Sequence, residues 1–145
     1  MSSIVQVSEA VTIGVHAMLC LSMAPDRYWS AREIVARFHV SEAHLAKVMA
    51  ALARAGIVTS VRGPHGGSRL SRPPGEVTLL QIYEAIDGPM TMPACLLSPR
   101  GCGSTCCQIG PALAAANQAL RDRFASTTLA DVTWRPPAAR KAVPA

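Results

Sequence analysis

Cys95, Cys102, Cys106 and Cys107 crowd into "CLLSPRGCGSTCCQIGP", residues 95–111, a stretch with neither helical nor strand periodicity. Thiolates are soft ligands that suit zinc or an iron-sulfur cluster, and such centres draw their ligands from irregular chain. Zinc sites usually show paired C-x2-C knuckles, and none occurs here. A cluster, a zinc site and an unmetallated thiol switch therefore all stay open on the residues alone. The odd total of five cysteines fits poorly with a closed disulfide framework. The fifth, Cys20, lies in an apolar run and reads as a small buried residue. A thiol enzyme built on Cys106 and Cys107 lacks its context. No C-x-x-C precedes a helix in a βαβ unit, and no Ser-His-Asp set or carboxylate pair appears, so no enzyme is expected.

The elements that position these thiols belong to a chain of 145 residues, 50% apolar and 16% charged, enough for one compact domain with or without a long accessory helix. Apolar runs stop well short of the roughly 18 residues that span a bilayer, and no leader pattern opens the chain. A cytoplasmic protein without a membrane segment is expected. The net charge is +5, and residues 32–72 concentrate Arg32, Arg37, Lys47, Arg54, Arg62, Arg69 and Arg72 against only Glu33 and Glu42. A polyanion would bind there.

Val11, Val15, Met18 and Leu19 recur at helical spacing in a first helix from Val7 to Met23, which Pro25 stops. Ser30 and Glu33 have capping-box spacing ahead of Ile34, Val35 and Phe38. Ser41 caps a third helix with Leu45, Val48, Met49 and Leu52 inward, closed by Gly56. Two helices across a short joint make a helix-turn-helix. The β-branched "IVTSV", the turn "RGPHGG" and "SRLS" then form a hairpin wing bearing Arg62, His65, Arg69 and Arg72. Thr78 and Gln81 cap a fourth helix that Gly88 and Pro89 end. After the thiol loop, Pro111 begins a long helix, "PALAAANQALRDRFASTTL", with Leu113, Ala116, Leu120 and Phe124 as a stripe among alanines. The Pro/Ala-rich basic end is expected to be disordered.

On the third helix, Ser41, Glu42, His44 and Lys47 occupy the first turns, where base and phosphate contacts are made. Taken singly, each also reads as part of a solvated helix face. Arg62 with Gly66 and Gly67 suits a wing whose backbone approaches phosphate.

This order of elements, with "SVRGPHGG", "VTLLQIYEAIDG", a cysteine loop and a long helix ending "TTLADV", resembles the Rrf2 family of bacterial winged helix-turn-helix regulators over residues 4–132. The resemblance implies a mainly α fold: a winged helix-turn-helix with a long C-terminal dimerisation helix. It divides the chain into a DNA-binding domain (1–88), a cysteine loop (89–110), a dimerisation helix (111–132) and a tail (133–145). It implies a homodimer on a palindromic promoter site in double-stranded DNA, with Ser41, His44, Lys47, Arg62, Gly63, His65, Gly66, Gly67 and Arg69 at the interface.

The cysteine-bearing branch implies an iron-sulfur cluster, 2Fe-2S rather than 4Fe-4S, sensing redox state, nitric oxide or iron supply. Counting back from "TTLADV" matches Cys95, Cys102 and Cys107 to the family's three ligands and leaves Cys106 as an extra thiol. Some members carry a His three residues after the last cysteine, where this chain has Gly110. The fourth ligand then falls to the first helix of the partner subunit, where Thr12, His16 and Glu9 are the choices and His16 the competent iron ligand. A core histidine bonded to backbone is the competing reading of His16. The alternative for the whole chain is a regulator of the same type without a cluster, switched by thiol oxidation, a metabolite or a partner protein.

Overall fold

Hydroxyl side chains open four of the helices. In the computed structural model, which describes residues 7–91 and 108–132, Ser8, Ser30, Ser41 and Thr78 each accept the backbone N–H three residues on. They start α1 (Glu9–Met23), α2 (Ala31–Phe38), α3 (Glu42–Arg54) and α4 (Leu79–Asp87). Ser30 with Glu33, and Thr78 with Gln81, form complete capping boxes. Each satisfies two otherwise orphaned donors. The cap at Ser8 also explains why α1 begins at Glu9 rather than at Val7.

Helix α1 is the central element and packs on both α3 and α4. Gly14 permits this: a Cβ there would collide with the Ile86 side chain on α4 and crowd Val48 on α3. Met18, Leu21, Ile34, Leu45, Leu52, Ile57, Val77, Ile82 and Leu129 are all less than 2% exposed and form one core. Between α2 and α3 the chain turns at His39, whose φ of 54° ends α2 as a left-handed cap.

Strands β1 (Val58–Val61) and β2 (Gly67–Leu70) pair antiparallel, with Val58 opposite Leu70 and Val61 opposite Gly67. The hairpin is not free-standing. Trp29, from the α1–α2 connection, exchanges two backbone hydrogen bonds of 2.8 Å with Ser68 and so adds a third, one-residue strand. Trp29 comes so close that a Cβ on Gly67 would strike its carbonyl.

A 3-10 turn (Pro74–Glu76) leads into α4. The last helix, α5 (Ile109–Ser126), begins two residues before Pro111, which sits in the first turn where its missing N–H costs nothing. It packs against α4, with the Phe124 ring edge-on to Tyr83 and Arg121 paired with Glu84, and Leu113, Asn117, Leu120 and Phe124 are half-buried along it. Asn117 thus takes the inward place expected of Ala116, which is exposed.

The helix also ends earlier than the sequence pattern suggests. Instead of running through the two threonines to Leu129, the chain turns back at Thr127. Leu79 donates to the Thr127 carbonyl at 2.9 Å, Leu129 donates to Val77 at 2.9 Å, and Leu129 drops into the core. Asp131 fixes the turn by accepting from the N–H and hydroxyl of Thr128 at 2.8 and 2.7 Å. The last helix, expected to reach residue 132, therefore ends at Ser126. The expectations for Cys95, Cys102, Cys106, Cys107 and the tail from 133 onward lie outside the described residues.

Candidate nucleic-acid interface

Helix α3 buries Leu45, Val48, Met49 and Leu52 and leaves Ser41, Glu42, His44, Ala46, Lys47 and Ala50 exposed. His44 and Lys47 are three apart and share the outer face. Ala46, between them, lines one small cleft together with Ser60, Val61, Gly67 and Ser68 of the hairpin. The outer face of α3 thus runs directly into the wing, bringing together residues that the sequence separates.

At the wing tip Arg62, Gly63, Pro64 and His65 are exposed. Gly63 carries the turn with φ of 121°, and its carbonyl accepts the Gly66 N–H at 3.0 Å. Gly66 and Gly67 have internal reasons to lack a side chain, since a Cβ would meet the Val61 carbonyl at the first and that of Trp29 at the second. Arg69 is exposed and lies over the Tyr28 ring, 5.0 Å from its centroid. The charge of this face is positive, with Lys47, Arg62 and Arg69 set against Glu42 and Glu9.

Two features were not foreseen from sequence. Glu9, in the first turn of α1, places its carboxylate 3.9 Å from His44 Nδ1. Beside α2, the Arg27 and Arg37 guanidinium groups stand 3.8 and 5.5 Å from the centroid of the Trp29 ring. Arg27 also binds Glu33 at 3.0 Å. Hydrogen bonds from the Ser30 N–H and hydroxyl hold the Glu33 carboxyl below the usual range, with Arg27 adding to the effect. A local reading could find the capping box, but not a stack whose partners lie on different elements.

His16 is half-buried on α1. Its Nδ1 is 2.7 Å from the Thr12 carbonyl, and the ring meets Phe38 edge-on at 5.1 Å in a shallow cleft with Ile13 and Val40. With Nδ1–H donated to a carbonyl, Nε2 keeps its lone pair, which is how ligating histidines are commonly oriented. Cys20 is fully buried, and desolvation pushes its thiol up despite the nearby Arg37. It stays a thiol and is a poor ligand.

Among the described residues, no cluster of three or more His, Cys, Asp or Glu side chains could hold a metal ion. Just before the cysteine-bearing segment in the chain lies a polar junction. Arg121 of α5 ion-pairs with Glu84 of α4, whose carboxylate also accepts the Met90 N–H at 3.3 Å. No helix among the described residues is long and apolar enough to cross a membrane.

A family model described as Rrf2, iron-dependent transcriptional regulator, matches residues 7–135. The HTH-type transcriptional regulator BadM of Rhodopseudomonas palustris is 44% identical over 77 residues, 53% of this chain and 49% of that protein. The match therefore spans about half the length of this curated relative. Among solved structures, CymR, the global cysteine regulator of B. subtilis, superposes with a TM-score of 0.76 at 24% identity, over 88% of this chain and 95% of that one. IscR of T. potens superposes with a TM-score of 0.70 at 26% identity, over 88% of this chain and 85% of that one.

Proposed function

Because the chain belongs to the Rrf2 family of transcriptional regulators, we propose that it is a cytoplasmic homodimer that binds double-stranded DNA at a palindromic promoter site, with an affinity set by an iron-sulfur cluster. The continuity of the outer face of α3 with the wing carries the DNA-binding part. Ser41, His44 and Lys47 enter the major groove, and Arg62, Gly63, His65, Gly66, Gly67 and Arg69 follow the flanking backbone. The domain is a regulator, with residues 1–88 holding DNA and α5 joining two copies.

The ligand set proposed for the cluster is Cys95, Cys102 and Cys107 with His16 of the partner subunit. What supports His16 is its Nδ1 bond to the Thr12 carbonyl, which leaves the Nε2 lone pair for a metal. When bound, a cluster of the 2Fe-2S type would supply an iron centre responsive to redox state, nitric oxide or iron supply. The chain's own part is to hold thiolates and imidazole and to tie their segment, through Met90, Glu84 and Arg121, to the α4 that packs on α3.

The test is a visible spectrum with iron and sulfide counts on protein purified anaerobically. Ser substitution at Cys95, Cys102 or Cys107 should bleach it, Cys106→Ser should not, and His16→Ala should shift or labilise it in a folded protein. A coloured Cys107→Ser beside a colourless Cys106→Ser would exchange those two roles, and an unchanged His16→Ala spectrum would return His16 to a packing role. The second reading, a thiol or metabolite switch without a cluster, draws on the likeness to CymR, the global cysteine regulator of B. subtilis, and to CymR of Staphylococcus aureus, whose structure has been solved in an oxidized form. Colourless protein from an iron-replete host would favour it.

A further inference from the structure

His44 can meet a base edge in two opposite ways. With its proton on Nδ1, Nε2 is an acceptor and suits the exocyclic amine of cytosine or adenine. With the proton on Nε2, it is a donor and suits N7 or O6 of guanine. The group facing Nδ1 decides between them. In this fold that group is Glu9, 3.9 Å away.

The two side chains arrive from different helices, and both arrivals are fixed by caps. Ser8 starts α1 immediately before Glu9, and Ser41 Oγ accepts the His44 N–H at the start of α3. Direct packing of α1 on α3 sets the distance between them.

We infer that Glu9 determines sequence specificity: its carboxylate, which faces His44 Nδ1 at 3.9 Å and so beyond hydrogen-bond length in the free protein, closes on the Nδ1–H when DNA is seated, so that Nε2 is presented as an acceptor for an amine in the major groove. The inference rests on the reading of α3 as the DNA-reading helix. Both side chains are exposed, so water screens the pair in the free protein. A seated duplex excludes that water and strengthens it. The same carboxylate repels the phosphates of every duplex, and sequences that do not engage His44 gain nothing to offset the repulsion.

The experiment measures full-length wild type, His44→Ala and Glu9→Gln against a duplex selected by the wild type from a random pool. Single base-pair replacements across the site are measured too, with thermal unfolding to verify the fold. His44→Ala should erase a preference for cytosine or adenine at one position, by about five- to tenfold. Glu9→Gln should erase the same preference at the same position and bind random duplex more tightly.

If Glu9→Gln instead raises affinity for all duplexes by one factor and keeps the preference, Glu9 is only a repelling charge and the inference is overturned. A guanine preference at the position that His44→Ala affects overturns it as well. An effect of His44→Ala without one of Glu9→Gln removes Glu9 alone and overturns its assigned role. A His44→Ala protein with wild-type affinity and preference would remove His44 from the interface, and the inference with it.

Discussion

Lys47 and Arg62 test the DNA interface one residue at a time, because both are exposed and stand on its two parts, the outer face of α3 and the wing tip. Deleting a cationic side chain that pairs with one phosphate should reduce the log-log salt dependence of binding by about one unit. Alanine variants that keep both affinity and slope would place the phosphate-binding residues elsewhere. Asp131 supplies a different kind of prediction. Its two hydrogen bonds from Thr128 hold its carboxyl below the ordinary aspartate range, so it stabilises the fold above the unfolded value and loses that contribution as pH falls through the folded one. Wild type should therefore unfold at a higher temperature than Asp131→Asn above roughly pH 5, with the gap closing in stronger acid. A gap that persists unchanged into strong acid would mean that the carboxylate's charge is not what holds the turn.

Among the elements, the wing depends on a neighbour that local sequence does not announce. Trp29 pairs with Ser68 across a backbone approach that only glycine at position 67 allows. Gly67→Ala should cost about 1–3 kcal/mol in urea unfolding. The Trp29–Ser68 pairing should loosen with it, seen as faster amide exchange at those two residues. Unchanged exchange would show that the close approach is not needed.

The same contrast marks what could be read in the chain. Caps at Ser30, Ser41 and Thr78, the inward stripe of α3 and the hairpin either side of Gly63 are encoded over a few residues, and they were legible. The third strand at Trp29, the Glu9–His44 approach and the return of Leu129 to the core pair residues distant along the chain, so no local period carries them. Thr127 and Thr128 illustrate the failure directly. They continue a helical pattern in the sequence, yet the partner that pairs with Thr128 beyond the helix end is Thr78.

For the whole molecule, α5 is the exposed element. Leu113, Leu120 and Phe124 are half-buried, Phe124 against Tyr83 of α4, while Ala112, Ala115, Ala116 and Ala119 are exposed at the spacing of one helical face. Small side chains let a second helix approach closely, so this face is where a second copy would sit. Ala116→Glu should yield monomers in sedimentation without lowering the stability of the monomer fold. A Leu120→Asp change, by contrast, should also lower the stability of the monomer fold, because Leu120 is half-buried. A dimer unaffected by Ala116→Glu would move the interface off α5. In the proposed regulator, that dimer, the α3–wing surface and the cysteine segment act as one unit. The most direct test is the affinity of one anaerobic sample for its selected duplex, measured before and after the cluster is removed by chelation. The expected result is a coloured protein whose affinity changes about tenfold or more, within the usual range of allosteric coupling. A coloured protein with the same affinity in both states would contradict the proposal that the cluster sets promoter affinity.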